Sequence, residues 1–318
     1  MGSPVVSISN LTKSYRVGFL HRGSRPALVD LSLDVLPGEI FGYLGPNGAG
    51  KTTTLKVLMG LSFPDSGRAS ILGLPLADAG WRYRVGYLPE HPYFYDYLTA
   101  SEYLDYAGQL FGLARAERRK RTRALLDRLG LAQSADVPLR RYSKGMSQRL
   151  GLAQALINEP ELLFMDEPMS GLDPIGRRLV RDLILELKAQ GRTVFFSTHI
   201  LSDAEALCDR VALLRGGKLT SVGRLDEILD HSISHVEVLL SGGNAAELDR
   251  HVEGVRQSRI LGERRRLEVD EDAVVAVLEA ALRAGARILS VQPVRQSLED
   301  YFMKEMTASP PGAWPLAD

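Results

Sequence analysis

The sequence has 318 residues, of which 45% are hydrophobic and 25% are charged, a composition typical of a globular chain with one large and one smaller domain. Lysine plus arginine and aspartate plus glutamate number 39 each, so no overall field favours nucleic acid or an anionic membrane. Cys208 is the single cysteine, which excludes an intrachain disulfide and a cysteine metal cluster and indicates a reducing compartment.

Hydropathy excludes a membrane span within this sequence. The first 12 residues lack the basic start and long apolar stretch of a signal peptide. No stretch free of Asp, Glu, Lys and Arg approaches the roughly 20 residues that a membrane helix needs. If the protein serves transport, we expect the pathway to belong to another polypeptide.

Apolar runs alternate with helical patterns through the first two thirds of the chain, which predicts an α/β domain with a largely parallel sheet. The predicted strands are residues 5–8, 40–44, 85–88, 162–165, 194–197, 211–214 and 218–222. The predicted helices are residues 100–111, 116–129, 147–157 and 175–190, with a short one near 224–229. The two consecutive helices between 100 and 129 indicate an inserted helical subdomain, at about residues 91–150.

The pattern changes toward the C-terminus. Strand-like segments occupy residues 235–240, 255–261, 267–269 and 288–291, with helices at 274–284 and 297–306. We therefore predict a first domain over residues 1–229 and a small α+β domain over residues 230–306, with a ferredoxin-like arrangement as one option. Residues 307–318, rich in Pro, Ala and Gly, are predicted to be a disordered tail.

Residues 45–53, Gly-Pro-Asn-Gly-Ala-Gly-Lys-Thr-Thr, form a phosphate loop between a predicted strand and an apolar helical run, the context that this motif requires. Glycines let the backbone approach a polyphosphate, and N–H groups at the helix start attract negative charge. Lys51 is suited to the β- and γ-phosphates and the Thr52 hydroxyl to Mg²⁺. The predicted nucleotide-binding residues here are Gly45, Asn47, Gly48, Gly50, Lys51, Thr52 and Thr53.

Two adjacent carboxylates, Asp166 and Glu167, follow the strand at 162–165. Adjacent side chains on a strand point to opposite faces, so the two acids are expected to act differently. Asp166 is suited to bind Mg²⁺, directly or through water. Glu167 is then available to polarise the attacking water as a general base.

Three further segments identify a family. Residues 142–149 open a helix at which Ser143 and Gly145 offer hydroxyl and N–H groups to a γ-phosphate. Ser-Gly-Leu-Asp stands at 170–173 and Ser-Thr-His at 197–199. In order and approximate spacing, the motifs over residues 5–229 resemble the nucleotide-binding subunit of an ATP-binding cassette (ABC) transporter, which implies an ABC-type phosphate-loop ATPase fold with an inserted helical subdomain.

The resemblance also implies residue roles. Tyr15 matches the aromatic residue that stacks on adenine, and Ser143 and Gly145 match the signature motif. His199 matches the switch histidine that contacts the γ-phosphate and holds the attacking water, and Asp173 matches a loop that communicates across a dimer. In this family the signature of one subunit closes over the phosphate loop of a second. The resemblance therefore implies a head-to-tail homodimer, or a pair with a similar cassette, around two ATP molecules.

Two features depart from the commonest family pattern. The signature has Lys144 and Met146 where Gly and Gln are usual, and Glu90 replaces the usual Gln after Tyr-Leu-Pro. A carboxylate still ligates Mg²⁺ but adds negative charge near the phosphates, so our hypothesis gives Glu90 a metal-linked coupling role. Both variants resemble those of drug, polysaccharide, lipid or ion exporters. The Ser-Leu-Glu-Asp-Tyr-Phe segment at 297–302 resembles a closing motif of drug-exporter cassettes with C-terminal extensions.

Two other segments leave alternatives open. The aromatic run at 91–97 either packs into the helical subdomain or, as the family implies, borders the groove for the coupling helix of a permease. The basic run at 115–123 is typical of a solvated helix face, with contacts to lipid headgroups or nucleic acid as alternatives.

The predicted function is an ATPase that uses ATP and Mg²⁺ and powers a separate integral membrane permease, with export favoured. It is expected at the cytoplasmic face of the cell membrane as a peripheral protein, without a nucleic-acid partner. The alternative is a soluble ABC ATPase that acts on nucleic acid or ribosomes. Such proteins usually carry two cassettes or long coiled-coil insertions, and this sequence shows neither.

Overall fold

A computed structural model describes residues 3–17, 23–229, 233–243, 253–295 and 297–308. The chain divides into two compact units, Met1–Leu225 and Asp226–Asp318. This division lies a few residues before the domain boundary predicted after residue 229. Each unit has a sheet system and a buried apolar core of its own.

A six-stranded sheet forms the centre of the first unit. Its strands are β3 (Ile40–Leu44), β6 (Val85–Leu88), β7 (Leu162–Asp166), β8 (Thr193–Thr198), β9 (Arg210–Arg215) and β10 (Lys218–Arg224). The strand order is β10-β9-β3-β8-β7-β6, and neighbours are parallel except for β9 and β10. Strands β3, β7 and β8 are buried along their whole length, as in sheets covered on both faces. The predicted α/β fold with a largely parallel sheet is confirmed.

Most of the second sheet of the first unit was not predicted from the sequence. It contains β1 (Val6–Val17), β2 (Gly23–Val35), β4 (Ser66–Ile71) and β5 (Leu74–Pro75) in the order β2-β1-β4-β5, antiparallel throughout. Register shifts interrupt the β1–β2 pairing at Ile8, Leu11 and Lys13. These irregularities break the two-residue alternation that identifies a strand, which is why only residues 5–8 were predicted.

Helices connect the strands. They are α1 (Lys51–Leu58), α2 (Ala100–Leu110), α3 (Arg115–Arg128), α4 (Lys144–Leu156), α5 (Pro174–Ala189), α6 (Leu201–Leu207) and α7 (Leu225–Ile228). Helix α4 begins before the predicted residue 147 because Ser143 caps it: its Oγ accepts a hydrogen bond from the Met146 N–H at 3.2 Å. Helix α6 was not predicted. Within the described ranges no helix has the length and apolar character to cross a membrane.

Buried aromatic rings hold the central strands together. Phe195 of β8 stacks on Phe41 of β3 with a centroid distance of 5.5 Å, and lies 5.4 Å from Phe164 of β7. All three rings are fully buried. Because these strands are parallel, their carboxyl ends meet at one edge of the sheet, and the segments that follow them are brought together there.

The second unit is a small α+β structure. Strands β11 (Ile233–Ser241), β12 (Val255–Leu261), β13 (Arg264–Val269) and β14 (Arg287–Arg295) accompany helices α8 (Val274–Arg283) and α9 (Leu298–Ala308). The order β12-β13-β11-β14, antiparallel throughout, is that of a ferredoxin-like sheet. Residues 307 and 308 belong to α9, which corrects the predicted start of the tail, and the rest of that segment lies outside the described residues.

Candidate functional site

The phosphate loop connects β3 to α1 in a conformation that depends on its glycines. Gly48 and Gly50 have φ values of 80° and 110°, in the left-handed region that L side chains rarely adopt. At Gly45 a Cβ would lie 2.4 Å from the Leu214 carbonyl oxygen. Gly50 caps α1 without a side-chain hydrogen bond, so the first N–H groups of the helix remain available to an anion.

Lys51 is buried at the start of α1 and contacts the loop and a carboxylate. Its Nζ donates to the Gly45 carbonyl oxygen at 2.8 Å and lies 3.3 Å from Glu167 Oε1. The two side chains are only 6% and 8% exposed. Since buried charges need partners, this ion pair keeps the ammonium group in place at the phosphate loop.

Glu167 links Lys51 to His199. Its Oε2 lies 2.9 Å from His199 Nδ1, and its own N–H donates to Ser197 Oγ at 3.2 Å. The φ of Glu167 is 50°, a left-handed value that is costly for a residue other than glycine and that clusters at functional sites. The backbone turn at Glu167 directs its carboxylate toward the side chains of Lys51 and His199.

Asp166, by contrast, is 1% exposed and faces Ser197. Its Oδ1 accepts a hydrogen bond from Ser197 Oγ at 2.5 Å, whereas its buried Oδ2 has no hydrogen-bond partner among the described residues. Burial, and then the nearby charge of Asp166, raise the pKa of Tyr87 to about 12. Tyr87 therefore stays protonated at neutral pH. Separately, Asp166 Oδ2 is available to another ligand.

A cavity of about 710 Å³ brings most of the predicted site residues together, a volume in the range of small-molecule sites. Tyr15 of β1, the phosphate loop, Glu167 and His199 all face it. The predicted residues that line it are Tyr15, Asn47, Gly48, Gly50, Lys51, Thr52, Thr53, Glu90, Glu167 and His199.

Four lining residues were not among the predicted site residues: Arg25, Pro26, Ala27 and Ser170. The first three belong to β2, in which Arg25 pairs with Tyr15 across the sheet. A Cβ on Gly50 would lie 2.5 Å from the Ala27 carbonyl oxygen, so β2 runs directly along the phosphate loop. The alternation of Leu31, Leu33 and Val35 was the sequence signal for this strand.

Four predicted residues do not line the cavity: Gly45, Asp166, Ser143 and Gly145. Gly45 and Asp166 are buried behind its wall. Ser143 and Gly145 lie at the start of α4, where a Cβ on Gly145 would be 3.6 Å from Leu172. A single copy of the chain therefore does not place its own signature residues in the wall of its phosphate-loop cavity.

Asp166, Thr52 and Glu90 carry oxygen atoms of the kind that bind magnesium. Across the part of the chain that the structure describes, no group of three or more His, Cys, Asp or Glu residues could form a metal cluster. Mg²⁺ needs no such cluster, because it is usually held by one or two protein ligands, water and substrate phosphates. The unpartnered Asp166 Oδ2, with Thr52 and Glu90 in the cavity wall, is a donor set of this kind.

Comparisons with known proteins identify the family of the chain. The ABC transporter family model matches residues 28–170. An uncharacterized ABC transporter ATP-binding protein of Synechocystis sp. is 47% identical over 304 residues, which cover 95% of this chain and 84% of that protein. The Nod factor export ATP-binding protein I of Ralstonia nicotianae is 40% identical, over 73% of this chain and 70% of that protein.

A solved structure shows the same fold. It is a dimeric ATP-binding cassette in a post-hydrolysis state bound to ADP and Pi, 26% identical, with a TM-score of 0.64 over 69% of this chain and 98% of that one. These proteins give no support to the alternative of an ATPase acting on nucleic acid or ribosomes. The chain belongs to the ATP-binding subunits of ABC transporters, in which ATP hydrolysis powers a separate membrane permease.

Proposed function

We propose that Lys51, Glu167 and His199 carry out ATP hydrolysis in this subunit. The observation that supports this most is their contact in one wall of the cavity, with Glu167 between the other two. Phosphoryl transfer demands positioning and charge stabilisation more than covalent chemistry. Lys51 then neutralises charge on the β- and γ-phosphates, Glu167 accepts a proton from the attacking water, and His199 holds that water and contacts the γ-phosphate.

Around this centre, Tyr15 stacks on the adenine and the loop N–H groups hold the phosphates. Thr52, Asp166 and Glu90 would hold Mg²⁺, which when bound neutralises charge on the β- and γ-phosphate oxygens. Ser197 orients Asp166 through its hydrogen bond to Oδ1 and leaves Oδ2 for the ion or its water. Glu90, with a side chain that is 42% exposed, is the most accessible of the three.

The complete site requires a second copy of the chain. Ser143 and Gly145 do not line the cavity of their own chain, and Ser143 instead presents the capped N-terminus of α4 at the protein surface. A head-to-tail homodimer would place this N-terminus over the γ-phosphate of the partner. Two equivalent ATP sites, each with a phosphate loop from one copy and a signature from the other, follow from two-fold symmetry.

A mixing experiment tests the shared site. Lys51→Ala disables the phosphate loop, and Ser143→Asp keeps a helix-capping side chain but sets a negative charge against the γ-phosphate. Each variant alone is expected to be inactive. An equimolar mixture is expected to regain ATPase activity, because each mixed dimer has one site with an intact phosphate loop and an intact signature.

The matched control mixes Lys51→Ala with a chain that carries both substitutions, in which no site is intact and no activity should return. Steady-state phosphate release measures both mixtures. If the first mixture were no more active than its two components assayed separately, the shared site would be ruled out, because this is the result expected when each site uses residues of one copy alone.

We also propose that the subunit associates with an export permease at the cytoplasmic face of the membrane. The aromatic residues at 91–97 have different surroundings in the structure. The ring of Phe94 packs edge-on against that of Tyr103, with the ring centroids 4.8 Å apart, whereas Tyr93, Tyr95 and Tyr97 are 90%, 47% and 66% exposed. The rings of Tyr95 and Tyr106 pack edge-on, with their centroids 6.2 Å apart. Exposed aromatics of this density are typical of protein interfaces, and export is supported by the Nod factor relative.

This association predicts a separation of function. Tyr95→Ser with Tyr97→Ser should lower the fraction of the subunit that sediments with permease-containing membranes by about tenfold, since two interface aromatics are removed. ATPase activity of the isolated subunit should stay unchanged. Ile260→Ser, at a 71% exposed position of the second unit, is the matched control. Unchanged sedimentation of the double variant would rule out this surface.

A further inference from the structure

Helix α3 is half basic, and its cationic side chains form two groups. Seven of its 14 residues are Lys or Arg. Three of them are paired: Arg118 with Asp105 at 2.8 Å, Arg121 with Glu117 at 2.7 Å, and Arg128 with Glu186. The other four, Arg115, Arg119, Lys120 and Arg123, have no hydrogen bond or ion pair with any residue that the structure describes.

These four cations line one groove between α2 and α3, which we call the basic groove. Its volume is about 1,050 Å³, larger than the 710 Å³ cavity at the phosphate loop. All four side chains are exposed, and they line the same concave surface. Arg115, Arg119 and Arg123 follow one another at four-residue spacing, at which like charges on a helix repel each other, and a bound anion would relieve this repulsion.

The acidic residues of the basic groove offset its positive charge only in part. Glu102 caps α2, where it accepts hydrogen bonds from Thr99 N at 2.8 Å and Thr99 Oγ1 at 3.0 Å. Asp105 accepts from Arg118 Nε at 2.8 Å and from Gln109 Nε2 at 2.7 Å. These contacts hold the pKa of both carboxyls below their usual range. Asp127 is the third carboxylate of the groove, so four cations stand against three carboxylates and one positive charge remains.

A buried hydroxyl points to the same ligand chemistry. Thr122 lies on α3 among the four cations, lines the groove and is 7% exposed. Its Oγ1 is buried without a hydrogen-bond partner in the described ranges. Buried hydroxyls nearly always have a partner. A ligand oxygen in the groove would reach Thr122 Oγ1 only if the side chains that cover this hydroxyl move.

We propose that the basic groove binds a phosphate ester, separately from the ATP site. Arginine side chains bind phosphate oxygens in bidentate fashion, and their charge strengthens the hydrogen bonds; three arginines and one lysine line the groove. The phosphate belongs either to a free phosphorylated molecule or to the headgroup of a lipid.

The test uses the full chain with Lys51→Ala, so that the phosphate loop does not compete. Binding of inorganic pyrophosphate is measured by calorimetry, and binding of phosphatidylcholine vesicles with and without phosphatidic acid by sedimentation. We expect Arg119→Gln with Arg123→Gln to weaken binding at least about tenfold, since each lost charged contact is worth that much. The matched control, Arg68→Gln with Arg283→Gln, removes two exposed charges outside the groove.

Saturable pyrophosphate binding that only the groove variant weakens would assign a free phosphate ester. Binding confined to vesicles with phosphatidic acid, with the same dependence on the groove, would assign a lipid headgroup. The proposal is overturned if neither probe binds saturably, or if the groove variant and the control weaken binding equally. Circular dichroism of both variants excludes a loss of α3 as the cause, because both positions are exposed.

Discussion

A chain with Glu167→Gln is expected to bind ATP and to dimerise, but to hydrolyse ATP at least about 100 times more slowly than the unsubstituted chain. General-base catalysis contributes roughly 10²–10⁴ to a rate, and an amide cannot accept the proton. The substitution preserves the shape of a side chain that is buried between Lys51 and His199, so the cavity should keep its form.

Single-turnover hydrolysis and ATP-dependent size-exclusion chromatography measure the two halves of this expectation, with and without Mg²⁺. Glu161→Gln is the matched control, because Glu161 pairs with Arg84 on the surface and surface pairs contribute little. Normal turnover in Glu167→Gln would remove Glu167 as the base. A loss of ATP binding in that variant would instead mean that the carboxylate serves to hold Lys51.

The second large effect is expected for Lys51→Ala, which should weaken ATP binding by roughly 100-fold or more. The substitution removes the ammonium group at the start of α1 that would contact the phosphates. Hydrogen bonds between a charged donor and a charged acceptor are stronger than those between neutral groups. It also leaves the buried Glu167 carboxylate without its cationic partner, and an unpaired buried charge costs several kcal/mol. Direct binding measured with a fluorescent ATP analogue gives the change in Kd.

Stability must be separated from binding in this variant. Lys56→Ala, at an exposed position of the same helix, is the matched control and should bind ATP normally. Lys51→Gln retains a hydrogen-bond donor without charge, so a similar loss in both Lys51 variants would assign the effect to charge. If Lys51→Ala folds normally and binds ATP with unchanged affinity, the phosphate loop is not the nucleotide site.

The central sheet and the helical subdomain could be predicted because their signals are local. The strands at 40–44 and 85–88 match β3 and β6 residue for residue, since buried parallel strands are short apolar runs. The second sheet could not be predicted in the same way. Bulges near Ile8 and Leu11 disturb its alternation, and the pairing of β1 with β2 and β4 depends on residues far apart in the sequence.

The site divides along similar lines. The phosphate loop, Asp166 and Glu167 are recognisable from sequence because a strand must turn into a helix over a fixed number of residues, and glycine is required where φ is positive. Arg25 was not recognisable, because it enters the cavity only through its register opposite Tyr15. Strand geometry predicted that the two carboxylates have different surroundings, but it did not predict that Asp166 contacts Ser197 and that Glu167 contacts Lys51 and His199.

The sequence by itself determined that the chain carries a phosphate-loop motif and two adjacent carboxylates after an apolar strand, and that its motifs are those of a family of transport ATPases. These properties reside in contiguous segments, whose chemistry is independent of distant contacts. Only the tertiary structure decided that Glu167 lies between Lys51 and His199, that one oxygen of Asp166 has no partner among the described residues, and that four cations of α3 line one groove. Each depends on burial and on distances across strands or helices, which the linear order of residues does not contain.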